Sequence, residues 1–591
     1  MSMKLIPFGE ISESFTGLRG DGIYYVDKTG FIPFLIEQRR KICVATRPRR
    51  FGKTLMLKTL EAFFEYRLDE NGKPVDNRRY FEGLKVMDAG EDVLCEMGQY
   101  PVISLSLKDV RNATFDQMLD KLRIELGRAC GTHAYLLEHP ALLDFERAQF
   151  RQILSAQVDQ GNLEAALGRI CGWLYKATKR KTVILIDEYD VPLQQAAIYD
   201  IQNPGSDLFN QTVKLIGNFI SSGFKTNSNL AYGVISGCMR VAKESIFTGM
   251  NNPGVIDVVT KLPDEFWGFT ENDVKQMLAY YGLEDKYQDI KQWYDGYLFG
   301  ERKVFNPWSL LNAIRGLVNE EGESAIQSYW VMTSGNDIID DMIDRNSQNR
   351  KLLAKMMNGE TISATIYKNL SYRDLKQHPD AIWSFLLYTG YLKAVKVFKN
   401  EDDLLEAELT VPNTEIRSVM RASLRHWWNN IRLQNSKADT LLQALLTGDT
   451  SIAERELKLV LIDSTSVFDY NEAFYHGMLV GLLQNVATVR SNDEYGEGRP
   501  DIVALAEDCG VILEVKCVTP KVLAQAKMVH PDMDKDDLVD VLVDRKLDEA
   551  QQQIMDRKYV RAVLRHEPAA RTVKAYAVCF CRKWCAMREV K

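Results

Sequence analysis

Over the first 260 or so residues, short apolar runs alternate with segments whose apolar positions recur at helical spacing. KICVAT, at 41–46, is a β-prone run leading into the basic turn RPRRFGKT and then the amphipathic LMLKTLEAFFEY, which together predict strand, loop and helix. YPVISLSL at 100–107 and LAYGVIS at 230–236 read as further strands, and helical periodicity lies around 114–130. TVILI at 182–186 has the continuous apolar character of a strand buried on both faces. The alternation predicts a parallel sheet with helices on both sides, assigned to residues 1–263.

From about Asp264 to residue 465 the pattern becomes mostly helical, with Trp-rich and Tyr-rich joints and no dominant β alternation, and predicts a lid and connector region over 264–465. It changes again after Asp469. A helix (NEAFYHGMLVGLLQNV), two strands (DIVALA and VILEVK), a further helix and a closing strand near 573–580 predict an α/β module over 466–591. The acidic stretch HPDMDKDDLVD, 530–540, reads as a solvated insertion in it.

At 591 residues the chain exceeds what one hydrophobic core serves, and its 46% apolar and 26% charged residues are those of a soluble globular protein. The net charge of −7 excludes a uniformly basic surface but not a local groove for phosphates. No export segment or run of about 18 apolar residues is present in the sequence, which points to a cytoplasmic protein without a membrane span. Ten scattered cysteines suit reduced thiols. Cys579, Cys581 and Cys585 cluster in AYAVCFCRKWC, but no C-x-x-C pair or histidine completes a zinc site, and the stretch reads as a strand.

The turn between the first strand and helix, Arg47-Pro-Arg-Arg50-Phe-Gly52-Lys53-Thr54, keeps the demanding end of the Walker A pattern, with arginine in place of the first glycine. Gly52 permits close approach, Lys53 reaches terminal phosphates, and Thr54 holds Mg²⁺ at a helix N-terminus. VILIDEYD presents acids at the end of an apolar strand, as a Walker B strand does. Asp187 would hold Mg²⁺ through water and Glu188 would orient or deprotonate an attacking water. The next strand ends in Ser236, with Arg240 and Lys243 beyond it; these are candidates for sensing the terminal phosphate or stabilising transferred charge, with a plain surface charge as the alternative for the two cations. Arg50 joins Gly52, Lys53 and Thr54 as a nucleotide-binding candidate.

In GEGRPDIVALAEDCGVILEVK, Asp501 stands on one strand and Glu514 and Lys516 on the next, two apart and so on one face. Two carboxylates and a lysine suit phosphodiester hydrolysis, in which bound Mg²⁺ or Mn²⁺ acidifies a water and the lysine orients it or offsets phosphorane charge. Glu472, on the preceding helix, is the candidate third metal ligand beside Asp501 and Glu514, against the alternative of a solvated helix residue. His476 reads as a helix-face histidine rather than a base, and Ala550, Gln553 and Tyr559 fit a later helix packed against the site.

IPFGEI, YYVDKTGFI, RPRRFGKT, LIDEYD, ISGCMRVAKESIFTGMNN, WGFT, YDGYLFG with FNPWSLLN, YWVMTSGN, IWSFLLYTGYL, VPN, FYHGMLVGLL, SNDEYGEGRPDI and ILEVK follow one another along the chain. In these strings it resembles bacterial and archaeal predicted AAA-like ATPases fused to a C-terminal PD-(D/E)xK nuclease domain. The resemblance implies that arginine at 47 is the normal loop form, that Lys53, Thr54, Asp187 and Glu188 serve nucleotide and Mg²⁺, and that Asp501, Glu514, Lys516 and Glu472 form a nuclease site. It implies a restriction-endonuclease-like C-terminal fold and an association with mobile elements or defence against foreign DNA. The segment from 516 to 550 is longer than that family's pattern, which puts the placement of Gln553 in question. The leading expectation is an ATP-dependent or ATP-gated nuclease acting on DNA rather than RNA, self-associating and free of membrane. The alternatives are a nucleotide-switch sensor whose nuclease awaits a trigger, and a non-catalytic nucleic-acid-binding scaffold.

Overall fold

The computed structural model describes residues 14–37, 41–69, 72–111, 114–239, 253–260, 265–319, 325–330, 347–357, 359–367, 380–420, 435–463, 472–484, 486–491, 493, 495, 498–506, 508–567, 570–582 and 584–590. Contacts group the chain into two compact units, residues 1–342 with 359–418 and residues 343–358 with 419–591. The stretch expected as one lid and connector is therefore divided between them.

The first unit is built on a five-stranded parallel sheet in the order β2-β3-β4-β1-β5, with β1 Ile42–Thr46, β2 Val102–Ser106, β3 Thr182–Asp187, β4 Leu230–Gly237 and β5 Gly254–Ile256. β1 and β3 are buried along their whole lengths, as continuous apolar runs between two helical layers require. The helix Lys53–Phe64 buries Met56, Leu57, Leu60, Phe63 and Phe64 against this sheet. YYVDKTGFI forms a structural clasp: Asp27 accepts from Thr29 N and Oγ1 and from Lys85 N, while Lys28 pairs with Asp273 at 2.7 Å.

Among the described residues the segment after Asp264 is mostly helical, as expected, but it also holds short strands that the sequence pattern does not predict. It contains the hairpin β6 Tyr297–Phe299 and β7 Arg302–Val304, and an antiparallel sheet in which β10 Leu405–Thr410 lies between β8 Ile362–Thr365 and β9 Lys393–Lys399. Lysine and glutamate interrupt these strands and have low β propensity, so the alternation of Ala407 and Leu409 inward is short and easily overlooked.

The second unit carries a five-stranded sheet in the order β11-β12-β13-β14-β15: β11 Thr488–Ser491, β12 Ile502–Ala506, β13 Cys509–Cys517, β14 Thr572–Cys581 and β15 Trp584–Val590. β13 and β14 are parallel and the other pairs antiparallel. One face, with Leu513, Val515, Tyr576 and Val578, packs on the helix Glu472–Leu483; the other, with Val503, Ile512, Ala577 and Cys579, packs on the helices Lys535–Asp556 and Tyr559–His566. The edge strands β11 and β15 were not anticipated. Nor is 530–540 simply a solvated insertion, because a 22-residue helix starts at Lys535, with Asp534 as its N-cap. Cys579 and Cys581 lie in one core layer and Cys585 in the other, a packing role in keeping with the strand reading.

Candidate functional sites

In the first unit the RPRRFGKT loop turns through two left-handed residues, Arg50 at φ 70° and Gly52 at φ 78°, before the helix begins at Lys53. The Lys53 side chain is 6% exposed, and its Nζ donates to the carbonyls of Arg47 (3.0 Å) and Pro48 (2.9 Å). Thr54 Oγ1 donates to Asp187 Oδ2 at 2.6 Å, and Ser236 Oγ donates to Asp187 Oδ1. The strand ends thus bring Lys53, Thr54, Asp187 and Ser236 into one cluster. Glu188 follows in the left-handed region at φ 50°, and burial pushes its carboxyl pKa up against the opposing pull of Lys53, with Asp187 and Asp190 adding to the rise. A carboxylate so perturbed is suited to accept a proton from water. A polar cavity of about 340 Å³ opens beside it, reaching from Thr54, Asp187 and Glu188 to Lys58, Ser106 and Lys108.

The arginines of the loop are directed into protein. Arg47 is fully buried, its guanidinium 5.0 Å from the Trp267 ring and 4.8 Å from that of Phe299, which gives a physical reason for arginine in the glycine position. Arg50 donates to the Tyr329 carbonyl at 2.6 Å and lies 4.8 Å from the Trp308 ring, so in this structure the group expected at the nucleotide is engaged elsewhere. Phe51 packs against Tyr297 and Phe299. Arg240 and Lys243 lie outside the described residues. Sequence reasoning passed over Tyr189 and Asp190, although LIDEYD contained the signal in its last acid: Tyr189 OH donates to the Met239 carbonyl at 2.6 Å, and Asp190 Oδ2 accepts from Cys238 N and Met239 N at 2.9 and 3.0 Å.

In the second unit, Asp501 immediately precedes β12 and accepts at Oδ2 from Val515 N at 2.8 Å. The register of β12 on β13 places it beside Glu514 on the face occupied by Val503 and Ile512. Glu514 is fully buried; Oε1 pairs with Lys516 Nζ at 2.8 Å, while Oε2 has no hydrogen-bond partner among the described residues. Burial, reinforced by Asp501 and opposed by Lys516, pushes the Glu514 pKa up to about 7. Burial works against the Lys516 ammonium, but Glu514, Asp501 and Glu472 outweigh it and its pKa is raised.

Glu472 begins a helix whose apolar stripe packs on the opposite face of the sheet, and it is exposed. It acts on Lys516 as a negative charge, yet among the described residues no three His, Cys, Asp or Glu side chains are grouped to hold a metal. The donors still fit Mg²⁺, which binds through one or two carboxylates and completes its shell with water and phosphate oxygens. The orphaned Glu514 Oε2 is the observation that favours a cation here. His476 Nε2 lies 2.8 Å from the Asp501 carbonyl and 3.1 Å from Ser491 Oγ, so it braces the backbone that carries Asp501. Tyr559 OH donates to the Arg499 carbonyl at 3.1 Å, and Gln553 and Tyr559 line a cleft of about 990 Å³ with Arg499, Arg545 and Arg557.

Residues 10–247 match the model of a family described as predicted AAA-ATPase. The five-stranded parallel sheet and its helices fit such an N-terminal domain. The chain is also 29% identical over 348 residues to a protein of Azotobacter chroococcum mcd 1 named "Uncharacterized protein in vnfD 5'region". That match covers 58% of this chain and 57% of the relative, so the chain spans little more than half the relative's length. The AAA-ATPase-like match suggests ATP hydrolysis. Among the described residues, no helix is long and apolar enough to cross a membrane.

Proposed function

We propose that the protein is an ATP hydrolase that powers or licenses Mg²⁺-dependent cleavage of phosphodiester bonds in DNA. At the nucleotide, Lys53 would exchange the Arg47 and Pro48 carbonyls for phosphate oxygens, Thr54 and Asp187 would hold Mg²⁺, and Glu188 would take a proton from the attacking water. The nuclease reading is carried by Glu514, a buried carboxylate with one oxygen on Lys516 and the other unpartnered, beside a second carboxylate. Asp501 and Glu514 would hold Mg²⁺, with Mn²⁺ as the substitute. Bound metal acidifies water and offsets charge on the phosphate. Lys516 would orient the nucleophile, while His476 fixes the Asp501 backbone.

A second reading, a nucleotide switch that releases a silent nuclease, is favoured by the packing of Arg47, Arg50 and Phe51 on Trp267, Trp308 and Phe299. Under this reading, a change at the phosphates would pass through these contacts to residues far along the first unit.

The two are separated by cleavage of plasmid and single-stranded DNA in Mg²⁺ with no nucleotide, ATP or a non-hydrolysable analogue, alongside Lys53→Ala and Glu514→Ala. Cutting that needs ATP hydrolysis and is lost in both variants is the expected result. Cutting with the analogue alone would favour the switch. Cutting by Glu514→Ala would overturn the nuclease assignment.

A further inference from the structure

Asp190 occupies the N-cap position of the helix Val191–Gln202 but makes no side-chain bond to that helix. An aspartate there ordinarily caps its own helix, contributing about 1 kcal/mol. Here the carboxylate is turned across to the exit of β4, where Oδ2 receives the N–H groups of Cys238 and Met239. It does so at 3% exposure, with Oδ1 lacking a hydrogen-bond partner among the described residues. Burying a carboxylate costs several kcal/mol, so forgoing the cap for this position calls for a return elsewhere in the molecule.

The neighbouring contacts locate that return. Tyr189 N donates to the Ser236 carbonyl at 3.1 Å and Tyr189 OH to the Met239 carbonyl at 2.6 Å, so two consecutive residues grip both ends of the segment Ser236–Met239. A Cβ on Gly237 would meet Asp190 Oδ1 at 2.6 Å and the Tyr189 ring at 2.7 Å, which leaves room for glycine alone. The gripped segment carries two groups of the nucleotide site: Ser236, whose hydroxyl donates to Asp187, and Cys238, whose Sγ lies 3.6 Å from Lys53 Nζ. One buried carboxylate therefore sets the polar end of β4 against the metal-holding acid and the phosphate lysine.

We infer that Asp190 is a positioning residue for nucleotide hydrolysis, acting through the Ser236–Met239 turn and touching neither nucleotide nor metal. The inference rests on the ATP-hydrolase reading. Binding energy for the triphosphate comes mainly from the loop and Lys53, whereas hydrolysis needs Asp187, Glu188 and Ser236 held within a few tenths of an ångström. Loosening the turn therefore acts on turnover more than on affinity.

The test uses the full chain and measures the dissociation constant of a fluorescent ATP analogue, steady-state ATP hydrolysis and thermal melting for Asp190→Asn and Tyr189→Phe. Asp190→Asn is expected to lower kcat at least tenfold with the dissociation constant changed less than threefold. Tyr189→Phe, which keeps the buried ring and removes one bond to the turn, is expected to lower kcat two- to fivefold at unchanged affinity. Unaltered kcat in both, or losses of affinity and turnover in equal proportion, would overturn the inference. If Asp190→Asn fails to fold, Tyr189→Phe decides it by the same split. A wild-type protein that binds nucleotide without hydrolysing it would overturn the hydrolytic reading and this inference together, an outcome distinct from wild-type turnover that neither variant disturbs.

Discussion

Asp187 and Glu514 are both buried acids on central strands, and they are satisfied to different degrees. Both oxygens of Asp187 accept from hydroxyls, those of Thr54 and Ser236. Glu514 has Lys516 on one oxygen and nothing among the described residues on the other. A carboxylate bonded at both oxygens tolerates a resting state, because each oxygen of Asp187 keeps a partner without ligand. A site with an orphaned buried oxygen is held in deficit by the surrounding fold, and a ligand that supplies the missing partner is stabilised accordingly. Under the proposed function, the first arrangement would suit a nucleotide site that empties every cycle and the second a site that retains a cation.

The largest effects should come from removing the acids of the less satisfied site. Asp501→Ala and Glu514→Ala are expected to lower DNA cleavage by at least about a thousandfold while ATP turnover stays within about twofold, measured on one preparation by plasmid nicking and phosphate release. A parallel loss of both activities would mean that the contrast between the sites is not functional. Next in size, Glu188→Gln should reduce ATP hydrolysis by about a hundredfold or more and leave ATP binding intact, as removal of a general base does. Titration with a fluorescent nucleotide checks the second half.

A pH series sharpens the contrast. The Glu514 carboxyl has a pKa of about 7 in the fold against an ordinary value of 4.5, so the native state binds more protons than the unfolded state between these limits. Stability should therefore fall as pH rises from about 4.5 through 7, and the deficit should persist above that. Mg²⁺ should raise the melting temperature more at pH 8 than at pH 5. Scanning calorimetry at both pH values, with Glu514→Gln expected to flatten the difference, tests this. The smallest effect is assigned to Arg50→Ala. It removes a hydrogen bond to Tyr329 and a ring contact with Trp308, so a loss of about 1–2 kcal/mol in stability is expected with ATP affinity within threefold. A tenfold fall in affinity would return Arg50 to the phosphates.

Much of this was legible in the chain. Strand, GKT turn and helix follow one another as the pattern predicts, and the apolar run TVILI forms a strand ending at Asp187, because a central parallel strand must be apolar on both faces. Glu514 and Lys516 were assigned to one face by spacing alone, and their 2.8 Å pair agrees. The features that no local pattern carries depend on contacts between distant segments. Nothing local marks Arg47 as a buried cation, since its ring partners Trp267 and Phe299 lie more than two hundred residues on. Asp190 stands at the N-cap position of a helix, and it is the approach of β4 that places Cys238 N and Met239 N on its carboxylate. Glu472 heads a helix that packs on the other face of the sheet from Glu514, a tertiary outcome that no local pattern carries.

The thiols on the last two strands make the second unit its own gauge. Cys579 and Cys585 are fully buried on opposite sides of one sheet, and burial pushes the Cys585 thiol up to about 12. Thiolate is the reactive form, so an alkylating reagent at neutral pH must wait for the strands to part. The labelling rate at each position would clock openings of its own side of the sheet, showing whether the layer behind Glu514 breathes in step with the layer behind Glu472.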